Sequence, residues 1–131
     1  MLNESVKNLL KGQLWDLATC GPEGPNVVPV AFKDVDNSGC LWVGDVFLDT
    51  TLKNLEYSQG KIAISIYDPH AMEGYQIKGH GQHLTQGEKV DEFKAMVEKM
   101  FQGAATAKGA LRIVPEQVIV TTPGSDNKKL L

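Results

Sequence analysis

The sequence predicts a mainly β fold, a β-barrel carrying a few helices, on three observations. Runs of β-prone residues recur at roughly ten-residue spacing, separated by clusters of Gly, Pro, Asn and Asp. The long run Gly74 to Thr85 is broken by Gly79 and Gly81, as strands that bend or bulge around a barrel require. Helical periodicity is confined to the short stretches Ser5–Lys11 and Leu52–Tyr57 and to one longer one, Glu88–Gln102.

Taken in order, Ser5 to Lys11 places Val6, Leu9 and Leu10 on one side of a short amphipathic helix. Gln13 to Cys20 reads as a strand, and Gly21-Pro-Glu-Gly-Pro25 as the turn of a hairpin into a second strand, Asn26 to Val35. Asp36-Asn-Ser-Gly39 makes the next turn, and Cys40 to Val46 the third strand. Leu52 to Tyr57 follows as a short helix behind the capping residues Asp49, Thr50 and Thr51. Lys61 to Tyr67 is a strand, Asp68 to Glu73 a loop, and Gly74 to Thr85 a long strand. In the helix Glu88 to Gln102, Val90, Phe93, Val97 and Met100 recur at three- and four-residue steps. Leu111 to Thr122 is the last strand, and Pro123 to Lys129 reads as a polar tail.

The second strand stands apart. Val27, Val28, Pro29, Val30, Ala31 and Phe32 are apolar on both faces, whereas a half-solvated strand alternates. One face fills a barrel; the other needs a partner subunit, a helix or a flat ligand. Pro29 cannot donate to a ladder, which places it at an edge or a bulge.

With 131 residues the chain predicts a single domain, residues 1–131, and its charged fraction of 22% is ordinary for a globular protein. A net charge of −3 provides no basic footprint for nucleic acid. No apolar run approaches the roughly 20 residues of a membrane span. Met1 to Lys7 lacks the basic-then-apolar order of a secretory leader, so a cytoplasmic setting is expected. Cys20 and Cys40 suit free thiols in a reducing compartment.

Two segments carry candidate chemistry. In Asp49-Thr-Thr-Leu-Lys-Asn-Leu55 a helix start offers unpaired N–H groups, the hydroxyls of Thr50 and Thr51, and Lys53 in the first turn. That combination suits a phosphate and equally describes an ordinary capped helix. Asp49 would repel a phosphate in direct contact and is expected to cap the helix from outside. In Gly74-Tyr-Gln-Ile-Lys-Gly79 the strand places Gln76, Lys78 and His80 on one face, and Tyr75 and Ile77 on the other. The polar face suits either a heteroaromatic ring or solvent. His80 and His83, three apart, fall on opposite faces of a regular strand, and no metal site is expected. No nucleophile elbow, GxGxxG or P-loop pattern is present.

The order of these segments resembles the pyridoxamine-5′-phosphate-oxidase-like split-barrel family, most closely its small FMN-binding proteins. The resemblance rests on the Gly-Pro-Glu-Gly-Pro turn, the Asn-Val-Val-Pro-Val strand, Thr-Thr-Leu-Lys-Asn-Leu and Gly-Tyr-Gln-Ile-Lys-Gly, and runs from about Val6 to Gly124. It implies a six-stranded split barrel that forms a homodimer with FMN at the interface. It places Val28, Pro29, Val30 and Ala31 beside the isoalloxazine ring. Val46, Phe47, Asp49, Thr50 and Thr51 would serve the ribityl chain and phosphate, with Lys53 and Asn54 on the adjoining helix start and Gln76 and Lys78 available to the ring. Several relatives carry a basic residue where this chain has Thr50, which leaves Lys53, or a basic residue of the partner subunit, to neutralise the phosphate. The function implied is electron transfer or reduction of a small acceptor through the flavin. The alternatives are an oxidase or reductase with its own substrate pocket, or a barrel holding haem or a deazaflavin.

Overall fold

The computed structural model describes Leu2 to Leu131; Met1, part of the N-terminal stretch read above, lies outside the described residues. In chain order the elements are α1 (Glu4–Gly12), β1 (Trp15–Gly21), β2 (Gly24–Val30), β3 (Lys33–Val35), β4 (Leu41–Asp45) and α2 (Thr50–Ser58). They continue with β5 (Lys61–Asp68), β6 (Glu73–Leu84), α3 (Glu88–Phe101) and β7 (Gly109–Val120). The strands form one antiparallel sheet in the order β2-β1-β5-β6-β7-β4-β3.

Seven strands are present rather than six because the strand expected over Asn26–Val35 is two. Val30 is the last residue paired with β1, and Lys33 the first paired with β4. Only Ala31 and Phe32 separate them, and the Phe32 carbonyl accepts from the Gly44 N–H at 2.8 Å. The two ends of the sheet are thus joined by two residues of continuous chain, which curls the sheet into a barrel with a seam. Pro29, with no N–H to give, sits on the outward edge strand where its loss is tolerated.

The barrel is filled from both ends. Trp15, Leu17, Leu41, Val43, Ile64, Ile77, Leu111 and Ile113 make its centre, and α1 closes one end with Val6, Leu9 and Leu10. Asn3 caps α1 by accepting from the Val6 N–H, and the Trp15 indole donates to the carbonyl of Leu10, fixing the helix to the barrel. A second core lies outside the sheet, where Val90, Phe93 and Val97 of α3 cover Trp42 and Ala110. Met100 does not join them: it is 66% exposed, because contact at the end of α3 passes to its neighbour Phe101.

Residues Pro123 to Lys129 do not form a free tail. β4 covers β7 only along Gly109–Ile113, which leaves the far part of that edge open. The chain turns back onto it: Val120 N–H donates to Lys129, Lys128 N–H to Val120 and Leu131 N–H to Val118.

The glycines of β6 behave as a bent strand demands. The register between β6 and β7 shifts between Lys78 and Gly79, leaving Glu116 as the extra residue of a bulge. A Cβ on Gly79 would lie 2.2 Å from the Val114 carbonyl oxygen, whereas one on Gly81 would meet only methyl groups at 3.5 Å or more. Gly79→Ala should therefore destabilise the protein by about 2–4 kcal/mol, and Gly81→Ala by less than about 1, in urea unfolding. In the turn before β4, burial pushes the Asp36 carboxyl up. Hydrogen bonds from the Ser38 hydroxyl, the Trp42 indole and the N–H groups of Cys40 and Ser38 outweigh it and hold the pKa at about 2. A depressed carboxyl contributes stability above its unfolded pKa of 3.8 and loses it as pH falls toward 2. Acid titration of stability should show this loss between pH 4 and 2, and Asp36→Asn should remove it.

Candidate functional site

At the barrel seam the two diverging strand ends leave an apolar trough of about 280 Å³. One wall is Val28, Pro29, Val30, Ala31 and Phe32; the other is Gly44, Val46, Phe47 and Leu48. Val30, Val46 and Leu48 are buried, while Pro29, Ala31 and Phe47 face outward, Phe47 with 75% of its surface exposed. Phe101 meets the Phe47 ring edge-on at 6.1 Å between centroids and also contacts Phe32 at 6.0 Å. Thus α3, through its last residue, holds a large apolar ring open to solvent beside the trough. Such a ring on a trough rim is a surface that burial against a flat apolar partner would stabilise.

The trough leads to α2. Leu48 lines the trough and Thr50 begins the helix, a separation of at most about 7 Å along extended chain, so one ligand can touch both. Around the helix start lies a polar concavity of about 540 Å³, lined by the hairpin Pro22–Asn26 and by Thr50, Lys53, Asn54 and Tyr57. Asn26, one of these lining residues, has a buried amide nitrogen without a hydrogen-bond partner.

The expected phosphate residues divide. Thr50 is exposed and presents its hydroxyl, but Thr51 is 2% exposed and turns inward. Asn54 is also buried, donating to the Thr19 hydroxyl at 3.2 Å and packing so closely on Gly21 that a Cβ there would collide with it. Its work is to fasten α2 to β1. Asp49 occupies the N-cap position without the side-chain cap expected of it, because its carboxylate turns instead to Lys53, 3.5 Å away. Lys53 is therefore already paired.

Gln76 and Lys78 share the outer face of the sheet, with Tyr75 and Ile77 buried behind them. The register runs Pro29–Asp16–Ser65–Gln76 across adjacent strands, so Gln76 lies three strand spacings, about 14 Å, from Pro29. Lys78 borders a separate, shallow apolar cavity of about 680 Å³ over Ala18, Ile62 and Ala63, with the His80–Glu116 pair at its rim. One copy of the chain does not bring Gln76 and Lys78 to the trough.

One polar pair escaped sequence reasoning. Asp45, at the end of β4, is fully buried; one carboxylate oxygen meets His83 Nε2 at 2.9 Å and the other has no partner. His83 reaches it over Gly109, where a Cβ would lie 2.7 Å from the imidazole. The signal available was a lone carboxylate inside the apolar strand Leu41-Trp-Val-Gly-Asp-Val46, directly before the trough residues. Both cysteines are free, Cys20 exposed and Cys40 buried. Among the described residues no helix is long and apolar enough to cross a membrane.

The model of the pyridoxamine 5′-phosphate oxidase family matches residues 2–124. The chain belongs to this family. Solved structures of the same fold include HupZ of Group A Streptococcus, at 25% identity over 96% of this chain and 98% of that one, with a TM-score of 0.79. An FMN-binding protein from Syntrophomonas wolfei is 15% identical over 95% of this chain and 88% of that one, also with a TM-score of 0.79. HutZ, a haem storage protein from Vibrio cholerae, is 17% identical over 91% and 94%, with a TM-score of 0.65. No curated protein matches the chain. Within this pyridoxamine 5′-phosphate oxidase family member, the residues present suit one part of FMN better than the other. The apolar trough and the rim of Phe47 suit a flat ring, whereas among the described residues the helix start has no unpaired side-chain cation to meet a phosphate.

Removing the His83 imidazole would leave a buried carboxylate with no partner on either oxygen. His83→Ala should cost about 2–4 kcal/mol in urea unfolding, and Asp45→Asn/His83→Ala should recover part of that loss because no buried charge remains.

Proposed function

We propose that residues 1–131 form a single FMN-binding split-barrel domain that transfers electrons or reduces a small acceptor, working as a cytoplasmic homodimer. The observation that carries this reading is the seam trough, where Val28 to Ala31 and Val46 to Phe47, separate in sequence, meet around one apolar space open to solvent. Bound there, the flavin supplies the redox chemistry. The chain's own contribution would be orientation and environment: Val30, Val46 and Phe47 line the trough, and the backbone groups at the free edge of β2 would be available to the ligand. Thr50, exposed at the helix start, offers a neutral hydroxyl to the polar end of the ligand.

The distance between Pro29 and Gln76 supports the dimer. With Gln76 and Lys78 about 14 Å from the trough of their own chain, they serve a ring only if it belongs to a second copy. The outer face that carries them is apolar along its centre, with Val27 62% exposed beside Ala18 and Ala63, and suits burial against that copy.

The expected outcome is quenching of flavin fluorescence when FMN is titrated with the protein, and elution at twice the 14.3 kDa chain mass. A Soret band in the protein as purified, with no response to FMN, would favour a haem-binding barrel instead. Ala31→Glu, which places a carboxylate in the trough wall without disturbing the core, should weaken flavin binding at least about tenfold.

A further inference from the structure

Resting on the flavin reading above, we infer that Asp49 makes this site indifferent to the flavin's phosphate, so that the chain takes riboflavin as readily as FMN. The polar cavity beside the trough is furnished for hydroxyl groups rather than for a dianion. Its accessible side-chain hydrogen-bonding groups outside the Asp49–Lys53 pair and Glu23 are neutral, the Thr50 hydroxyl and the Tyr57 phenol among them. The one cation among the described lining residues, Lys53, pairs with the exposed carboxylate of Asp49 beside the cavity at 3.5 Å, and Glu23 places a carboxylate in the lining itself. Two carboxylates against one ammonium leave the side-chain charge around the cavity at −1.

The helix start does not reverse that balance. A helix N-terminus is worth about half a positive charge, which brings the balance only from −1 to about −0.5. A phosphomonoester carries between one and two negative charges at neutral pH. Seating it on α2 would require displacing Asp49 from Lys53 and then holding carboxylate and phosphate side by side. A ribityl chain ending in a hydroxyl makes no such demand, and finds a hydroxyl partner in Thr50. Asp49 is thus a specificity-determining residue: it does not build the trough, and it removes the advantage that a phosphate otherwise has at a helix start.

The test is a pair of fluorescence titrations, with FMN and with riboflavin, on the full chain and on Asp49→Asn. The side chain of Asp49 is 77% exposed and makes no capping bond, so the variant keeps the fold. The expected result is that FMN and riboflavin bind the unaltered chain within about threefold of one another. Asp49→Asn, which frees Lys53, should tighten FMN about tenfold and change riboflavin less than twofold; Glu23→Gln should move FMN in the same direction by less. FMN binding the unaltered chain tenfold or more tighter than riboflavin would overturn the inference while leaving the flavin reading intact. So would an Asp49→Asn variant that shifts both ligands equally or neither. If neither flavin binds, the inference falls together with the reading beneath it.

Discussion

The structure depends on one covalent constraint: residues Gly24 to Val35 must serve both ends of the same sheet. β2 pairs with β1 at one end of the strand order, β3 with β4 at the other, and two residues join them. With so short a connection the sheet cannot lie flat, and its natural twist is carried around into closure. The same connection prevents a continuous ladder, since a strand that changes partners leaves a gap where it does so. The trough is that gap, and its apolar walls belong to a chain that fills the barrel on one side and lies open on the other.

The helices act around this constraint. α1 seals one end of the barrel, and Asn54 anchors α2 to β1 by its bond to Thr19 and its fit against Gly21. α3 covers β4 from outside and is tied to β3 through the Lys89–Asp34 ion pair, while Phe101 at its end braces Phe47. Each helix therefore sets one boundary of the seam region. The polar details near it, Asp45 with His83 and Asp49 with Lys53, are cross-element or cross-turn pairings that fix how charge is distributed on either side of the trough.

Much of this was legible in the residues because local rules governed it. The apolar stripe Val6, Leu9 and Leu10 predicts α1, the turn Asp36–Gly39 carries its own side-chain bonds, and the glycines of β6 announce the bulge at Lys78–Gly79. The two-faced apolar run Val27–Phe32 marks the stretch of chain that lines the trough. What was illegible depended on tertiary choice. Periodicity cannot say that one run changes partners at Ala31, nor that Met100 yields its place to Phe101. Capping preference places Asp49 at a helix start, but whether its carboxylate bonds backwards to N–H groups or forwards to Lys53 is settled by neighbours. The Asp45–His83 bond joins residues 38 apart in sequence and leaves no local trace except an acid in an apolar strand.

The return of the C-terminal residues along β7 has a consequence of another kind. Half of β7's outer edge lacks a neighbouring strand, and an edge of unpaired N–H and C=O groups can template the addition of a foreign strand. By laying Lys128 to Leu131 against Val118 to Val120, the chain occupies that edge with its own backbone. That backbone blocks strand addition along this edge, so the same few residues bear on self-association as well as on shape.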